Sequence, residues 1–432
     1  MTKFPYTQEI HISPAKGRDR QVATLLAHAE DTLASIRKGK QPQIKSIFCQ
    51  FDKFAAFNEI STQGQRITKG LKNLVVLGTG GSSLGAQALL AILPQRFSTV
   101  HPRIQFLDNL SPKETEFTLL TMRPETTHFL VISNSGYTVE VMAQALLALN
   151  YMSEKVGKEN LKDHFTFITN PTDNPLRTIG KKLGIPIMDH NPDLPGRFSA
   201  FSNVGLLPAY IGGGNILAIF QGAQAVLNQA LDAKSIHDIP AVQGAVFSAA
   251  AERLENCQTH VMMPYANSLA TFTKWFVQLW AESLGKKGRG TTPIAALGPI
   301  DQHSQLQMFL DGRQDKFFTF VNTKADDSTL PIDGYAKLDK RLNLLHGKTL
   351  QDVVNAAYYG TVESIKDANR PCRTFQVERV DEYVTGGLLM HFMLETVMVA
   401  EMLEVAPFEQ DRVEEGKSHA REYLQNLAPK LI

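Results

Sequence analysis

The chain has 432 residues, enough for two domains, and 43% hydrophobic with 20% charged residues is typical of a soluble globular protein. A formal net charge of +1 excludes a general attraction for nucleic acid or for an anionic membrane. The N-terminal MTKFPYTQEIHIS lacks the apolar core of a secretory signal, and the three cysteines form no CxxC pair. We therefore expect a reduced, cytoplasmic protein without a disulfide framework or a protein-held zinc ion.

The first part of the chain alternates short β-rich runs with helical patterns after a mostly helical N-terminal region. The candidate strands are NLVVLG, RIQFLD, THFLVIS, HFTFITN and IPIMDH. Helical patterns such as SLGAQALLAIL and TVEVMAQALLAL separate them. This alternation indicates a parallel sheet with helices on both faces, and in such sheets ligands bind beyond the carboxyl ends of the strands.

The alternation stops in NPDLPGRFSAFSNVGLLPAYIGGGN, whose Gly, Pro, Ser and Asn residues predict a crossing between domains. A second α/β series follows, with strand-like THVMMPY, TTPIAALG and KFFTFVN and with helices around residues 275–284 and from His303. The run GGLLMHFMLETVMVAEMLEVA contains one histidine and three glutamates, so we predict a buried helix rather than a membrane span. The predicted domains are 1–215 and 216–405, followed by a helical C-terminal arm at 406–432.

The loop GTGGSSLG follows the strand NLVVL and precedes a helix. A dinucleotide-binding GxGxxG loop needs a third glycine where Ser83 stands, and Asp108 lies further along than the usual ribose-binding acid. The glycines still allow a ligand to approach the backbone, and the helix N-terminus favours an anion. A tight turn without a ligand and a nucleotide-dependent dehydrogenase both stay open as alternatives.

Hydroxyl side chains are concentrated in a second loop, at the end of the strand THFLVI. The loop consists of Ser133, Asn134, Ser135, Gly136, Tyr137 and Thr138. Four of these six residues carry a hydroxyl. Capping of the following helix would use one hydroxyl, so the cluster favours a phosphate monoester, which accepts hydrogen bonds from hydroxyls and free amides. Two such loops at neighbouring strand ends suit a sugar phosphate better than a dinucleotide.

Five further residues are candidates for chemistry, each with a plain structural alternative. Gln278 and Glu282 lie four residues apart on one face of an aromatic helix, where Glu282 could be a general base or pair with a nearby cation. Arg197, in the irregular PGRFSAFSNVG, could stabilise developing negative charge or form an interdomain ion pair. His303 stands at a helix start and could transfer protons, although a lone histidine is more often structural. Lys417 lies in a charged run that is typical of a solvated helix face.

These segments resemble the glucose-6-phosphate isomerase (phosphoglucose isomerase) family, in the family's order and over nearly the whole chain. The matching segments are GTGGSSLG, SNSGYTVE, PGRFSAFSNVGLLP, QLWAESLGK, GPIDQHSQLQMFLDG and PFEQDRVEEGK. The resemblance implies two sugar-isomerase-type α/β domains with doubly wound, mostly parallel sheets and a helical C-terminal arm. It also implies a homodimer that interconverts glucose 6-phosphate and fructose 6-phosphate, in glycolysis and gluconeogenesis, without a cofactor or a metal.

The resemblance assigns a role to each candidate. Glu282 would move a proton between C1 and C2 of the sugar, and Arg197 would stabilise the cis-enediol intermediate. His303, supplied by the neighbouring subunit, and Lys417 would assist ring opening and closing. The implied substrate-binding residues are Gly81, Ser82, Gln278 and the loop from Ser133 to Thr138.

Two positions of the phosphate loop depart from the family. Asn134 stands where a lysine is usual, and Tyr137 occupies a position that is commonly threonine. The missing lysine charge would weaken phosphate binding by about 1 kcal/mol. Two related functions stay open: a sugar-phosphate-sensing protein that binds without conversion, and an isomerase that also accepts mannose 6-phosphate.

Overall fold

The computed structural model describes residues 4–39, 41–48, 54–93, 101–324, 330–332 and 335–427. The strands are β1 Thr7–Ile12, β2 Asn73–Leu77, β3 Arg103–Leu107, β4 Thr127–Ile132, β5 Phe165–Thr169, β6 Ile187–Asp189, β7 Thr259–Pro264, β8 Thr292–Ala295, β9 Lys316–Thr323, β10 Pro331–Ile332, β11 Lys348–Thr349 and β12 Cys372–Val377. The α-helices are α1 Asp19–Lys38, α2 Pro42–Phe48, α3 Phe54–Thr68, α4 Leu84–Ala91, α5 Pro112–Thr121, α6 Val139–Val156, α7 Leu161–His164, α8 Pro175–Leu183, α9 Asn203–Ile211, α10 Ile216–Asp232, α11 Pro240–Glu255, α12 Ala270–Leu284, α13 Ile300–Asp311, α14 Leu350–Asp367, α15 Glu382–Met402 and α16 Asp411–Asn426.

The first five-stranded sheet has the order β3-β2-β4-β5-β6, and all of its strands are parallel. Its central strands β4 and β5 are buried along their whole length, because helices cover both faces. All five strands predicted from the apolar runs occur, with bounds shifted by no more than about two residues. The α/β fold class with mostly parallel sheets is confirmed.

The second five-stranded sheet has the order β1-β12-β9-β7-β8, and only β1 is antiparallel to its neighbour. The strand β1 precedes the first sheet in the chain but forms the edge of the second, so residues 7–12 belong with the second half. The boundaries at 215/216 and 405/406 otherwise stay predictions. A separate pair, β10 and β11, forms a small antiparallel ribbon.

The helix α15 is the apolar segment predicted to be buried. Its length and composition would allow it to cross a membrane, but 94% of its most apolar 18-residue stretch is buried inside the protein. Glycines let the helix α10 approach it: a Cβ on Gly222 would lie 1.7 Å from the Tyr383 carbonyl oxygen, and one on Gly386 would lie 1.9 Å from that of Ile219. The prediction of a buried helix is confirmed.

A cluster of paired polar groups is buried between α15, β12 and the N-terminal segment. The guanidinium of Arg373 forms two hydrogen bonds with Glu395, of 2.9 and 2.7 Å, and both side chains are fully buried. His391 Nε2–H donates to Glu395 at 3.0 Å, and the Tyr6 hydroxyl donates to His391 Nδ1 at 2.6 Å. Burial by itself would raise the pKa of Glu395, but Arg373 and His391 outweigh it and hold that pKa at about 2.

We expect Glu395→Gln to lower the free energy of unfolding by about 3–5 kcal/mol, because the buried Arg373 guanidinium would lose its counter-charge. Urea unfolding at pH 7 measures the loss. Glu401→Gln, on the exposed face of the same helix, is the matched control and should change stability by less than about 0.5 kcal/mol. Wild-type stability in the Glu395 variant would contradict the role of the pair.

The same pair predicts a pH dependence. The pKa of Glu395 is about 2 in the folded protein and near 4.5 in the unfolded chain, so its stabilisation is fully present above pH 4.5. It is lost as the pH falls toward 2. The stability difference between wild type and Glu395→Gln should therefore shrink over that window, which urea unfolding at a series of pH values measures.

Candidate active site

Two loops lie side by side at one edge of the first sheet, because they follow the adjacent parallel strands β2 and β4. The first loop, 78–83, contains a 3-10 turn at Gly80–Ser82 and leads into α4. The second loop, 133–138, leads into α6. Both therefore present the N-terminus of a helix to the same space, as the sequence pattern predicts.

Close contacts at two glycines fix both loops. A Cβ on Gly81 would lie 2.2 Å from the carbonyl carbon of Gly196, so the first loop rests directly on the 3-10 helix Gly196–Phe201 that carries Arg197. Gly136 has a positive φ of 62°, and a Cβ there would lie 1.9 Å from Asn174 Oδ1. Larger side chains cannot replace these two glycines without movement of the loops.

Helix capping does not account for the hydroxyls of the second loop. Thr138 is the N-cap residue of α6, but its side chain forms no capping hydrogen bond. Its hydroxyl instead lies 3.0 Å from that of Ser133, which is buried. The Ser135 hydroxyl accepts a hydrogen bond from the amide of Tyr137 at 3.2 Å. Ser135 and Thr138 face a cavity and have capacity left for a ligand.

This cavity has a volume of about 830 Å³ and lies between the two loops, α12, the segment 192–197 and the C-terminal arm. Nine of the predicted site residues line it: Gly81, Ser82, Asn134, Ser135, Thr138, Arg197, Gln278, Glu282 and Lys417. Tyr137 lines a smaller cavity beside it, while Ser133 is buried and Gly136 shapes the loop. In the part of the chain that the structure describes, no three His, Cys, Asp or Glu residues are grouped as metal ligands.

Glu282 lies on the face of α12 that borders the cavity, with a side chain 24% exposed. Gln278, one helical turn earlier, donates to Glu282 Oε1 at 3.0 Å. Trp280, two residues before Glu282, is buried on the opposite side of the helix. Trp275, two turns before Glu282 on the same face, is buried and donates to the Arg197 carbonyl oxygen at 3.2 Å. Packing on one face of α12 and hydrogen bonding on the other therefore orient the carboxylate toward the cavity.

The guanidinium of Arg197 is buried and every nitrogen has a partner. Nε donates to Ser283 Oγ at 2.8 Å, and Nη2 donates to the Pro407 carbonyl at 2.6 Å. Nη1 donates to Gln410 Oε1 at 2.5 Å and to Glu282 Oε2 at 3.2 Å. Burial lowers the pKa of Arg197 and the neighbouring Glu282 charge opposes that effect, so the guanidinium stays charged.

Lys286, just beyond α12, adds a second positive charge near the site. Its ammonium donates to the carbonyls of Glu282 and Ser283, at 2.7 and 2.8 Å, and so caps the end of the helix that carries the carboxylate. Burial, together with the nearby Arg197 charge, lowers the pKa of Lys286 to about 8. The cation is therefore engaged with the backbone rather than with the Glu282 carboxylate.

Lys417 reaches the cavity from the C-terminal arm. It lies on α16, a helix without buried residues in its described part, and its side chain is 39% exposed. Its ammonium pairs with Glu414 Oε1 at 2.6 Å, one turn earlier. The charged run is therefore an exposed helix, as its composition predicts, with one cation turned toward the cavity.

Two sequence candidates lie away from this cavity. His303 is exposed on α13, beside the second sheet, and does not line it. Asp108, the candidate ribose-binding acid, accepts a hydrogen bond from Gln87 at 2.6 Å and does not line it either.

Two of the partners of Arg197 were not among the residues predicted from the sequence. Ser283 directly follows Glu282, and Gln410 directly precedes α16. Only their positions in the sequence could have indicated a role in the site. Ser283 is adjacent to a candidate base, and Gln410 stands between the break at Pro407 and the start of a helix. Neither residue type by itself indicates a site.

The chain matches the phosphoglucose isomerase family over residues 11–431. Glucose-6-phosphate isomerase of Carboxydothermus hydrogenoformans is 33% identical over 83% of this chain and 80% of that protein. A protein of the same name from Thermus thermophilus is also 33% identical, over 82% and 84% of the two chains. The cavity at the strand ends and these similarities define a sugar-isomerase-type α/β protein. The chain belongs to the phosphoglucose isomerase family.

Solved structures support the same fold. A hypothetical protein of Thermus thermophilus superposes with a TM-score of 0.87 at 29% identity, covering 97% of this chain and 100% of the other. A glucose-6-phosphate isomerase of Chlamydia trachomatis superposes with a TM-score of 0.82 at 20% identity, covering 98% and 89% of the two chains. The predicted family membership and fold class are thus confirmed.

We expect Gly81→Ala to lower stability by about 1–3 kcal/mol and to displace Arg197, because the added methyl would overlap the backbone of Gly196. Thermal unfolding measures the effect. Gly360→Ala is the control: its helix position has open space around the added methyl, so it should be neutral or stabilising by about 0.4–1 kcal/mol. Equal stability changes in the two variants would contradict the close packing of the loop.

Proposed function

We propose that the protein interconverts glucose 6-phosphate and fructose 6-phosphate by proton transfer between C1 and C2. The observation that carries the proposal is the contact of Glu282 with Arg197, at 3.2 Å, inside a cavity bounded by the hydroxyl-rich loop. Membership in the phosphoglucose isomerase family supports it, as do the related proteins named glucose-6-phosphate isomerase.

The loop 133–138 binds the phosphate. The hydroxyls of Ser135 and Thr138 and the free amides at the N-terminus of α6 donate to the phosphate oxygens. This contact fixes the distance from the phosphate to the reacting carbons. Misplacement of the phosphate therefore lowers the rate as well as the affinity.

Glu282 transfers the proton. Its carboxylate removes the C2 proton of the open-chain aldose and returns it at C1, and it works in the opposite sense for the ketose. Gln278 and Arg197 fix the two carboxylate oxygens before substrate binds. The Arg197 charge lies where the enediolate oxygens become negative, and its other contacts keep it there without reorganisation during the reaction.

Lys417 and His303 open and close the sugar ring, and His303 belongs to a second copy of the chain. The helix α13 that carries His303 also exposes Ile300 and Met308, at 66% and 58%. The segment 335–345 also exposes large apolar side chains, among them Tyr335 and Leu338. An apolar surface of this kind fits a homodimer interface.

We place the protein in the cytoplasm. Burial raises the pKa of the Cys257 thiol to about 12 and that of Cys372 to about 11, so neither ionises at neutral pH. Both are free and buried, which fits a reducing compartment. Cys49 lies outside the described residues.

The proposal predicts that Glu282→Gln lowers turnover of fructose 6-phosphate by about 10²–10⁴-fold, because the amide cannot accept the proton. NMR in heavy water follows glucose 6-phosphate formation and deuterium entry at C1 or C2. Thermal unfolding should change less than in Glu395→Gln, since Glu282 is partly exposed and Arg197 keeps its hydrogen bonds with Ser283, Pro407 and Gln410. Glu154→Gln, an exposed position on α6, is the control with normal turnover. Binding without turnover in the wild type would instead favour a sugar-phosphate sensor.

The dimer predicts complementation between two inactive variants. When Glu282→Gln and His303→Gln subunits are mixed and allowed to exchange, each hybrid dimer contains one intact site. Random exchange should restore about a quarter of the wild-type activity, because half of the dimers are hybrid and half of their sites are intact. Analytical ultracentrifugation checks the assembly. A mixture as inactive as its components would place His303 in its own subunit's site, and a His303→Gln variant with normal turnover would place it outside catalysis.

A further inference from the structure

The phosphate loop 133–138 contains no Lys or Arg, although its proposed ligand is close to a dianion at neutral pH. Hydroxyls and amides donate hydrogen bonds but bring no full charge. A cation from another element would strengthen the binding of the phosphate, since charge-assisted hydrogen bonds are about twice as strong as neutral ones. The identity of the residue that supplies this charge is inferred below, and the inference rests on the proposed function.

Arg421, on α16, lies beside the loop. Its guanidinium is 5.9 Å from the centre of the Tyr137 ring, within the range of a cation–π contact. Both residues line a cavity of about 130 Å³ that adjoins the main one, and the two cavities share Ser135 and Thr138. Arg421 is therefore next to the two hydroxyls that we assign to the phosphate.

The charged residues that line this small cavity have a net charge of zero only when Arg421 is included. Its charged lining residues are Glu140, Glu414, Lys417 and Arg421. Lys417 is paired with Glu414 at 2.6 Å, whereas the Arg421 guanidinium forms no hydrogen bond or ion pair among the described residues. Without Arg421 the lining would have a net charge of −1, which opposes an anion.

We propose that Arg421, held against the Tyr137 ring, is a substrate-binding residue that neutralises the phosphate of the hexose 6-phosphate. The ring is half-exposed and flat, so it limits the conformations of the long arginine side chain without using its hydrogen-bond donors. The planar guanidinium can then form a bidentate bond with two phosphate oxygens. Tyr137 is a positioning residue in this arrangement.

The first experiment separates phosphate binding from catalysis. Arg421→Gln should raise KM for fructose 6-phosphate and the inhibition constant of inorganic phosphate by about tenfold each, with kcat changed less than about twofold. The matched control is Arg412→Gln, which removes the same charge from the same helix at a side chain 92% exposed and paired with Glu415. It should leave both constants unchanged. An unchanged phosphate constant in Arg421→Gln, or an equal rise in both variants, overturns the proposal.

The second experiment tests whether Arg421 acts through its charge at the loop. In the Arg421→Gln background, Asn134→Lys places a cation within the loop and should restore most of the lost phosphate affinity. Tyr137→Ala should weaken phosphate binding less than Arg421→Gln, and the double variant no more than Arg421→Gln alone. If α16 were merely anchored by Arg421, Asn134→Lys would not restore binding, and that result overturns the proposal.

Calorimetric titration with inorganic phosphate distinguishes failure of this inference from failure of the proposed function. Wild type that binds phosphate through Arg421 but does not convert fructose 6-phosphate would refute the isomerase and retain the phosphate site. Wild type that turns over normally, with phosphate affinity equal to that of Arg421→Gln, would refute the site and retain the isomerase.

Discussion

The buried guanidinium of Arg197 connects three segments that are far apart in the chain. It lies in the 3-10 helix beside the first loop and bonds to α12, 85 residues later, and to the C-terminal arm, 213 residues later. A buried charge is costly unless its donors are paired, so these segments cannot separate without exposing or orphaning the cation. The positions of Glu282 and of the arm that carries Lys417 therefore depend on one side chain. The close contact of Gly81 with Gly196 extends this dependence to the first loop.

The strands of the first sheet could be predicted from the sequence because the central ones are buried on both faces and so form unbroken apolar runs. Two strands of the second sheet, β1 and β12, could not. In β12, CRTFQV, polar residues interrupt the run, yet Arg373 is buried because Glu395 of α15 pairs with it. That partner lies on another element, so local periodicity does not reveal it. The strand β1 is short, mixed in polarity and partnered with the far end of the chain.

Some features of the candidate site could likewise be predicted from the sequence, and others could not. Loops rich in glycine and hydroxyls at strand ends have a direct local signature, and the spacing of Gln278 and Glu282 follows from helical geometry. The contacts of those residues with other elements have no such local signature. Glu282 meets Arg197 rather than a cation that follows its helix, and Lys286 binds backbone carbonyls instead. The Tyr137–Arg421 contact joins two elements that only the folded chain brings together.

The antiparallel pairing of β1 with β12 also affects how the protein is made on the ribosome. Tyr6 and His391, which hydrogen-bond in the finished molecule, are 385 positions apart. The strand β1 must therefore stay unpaired until β12 has been synthesised, and such long-range contacts form slowly. Until that strand docks, β12 has an open edge with unpaired amides and carbonyls, a surface on which another nascent chain can pair. Loss of the N-terminal segment by proteolysis would leave the same edge open in the mature protein.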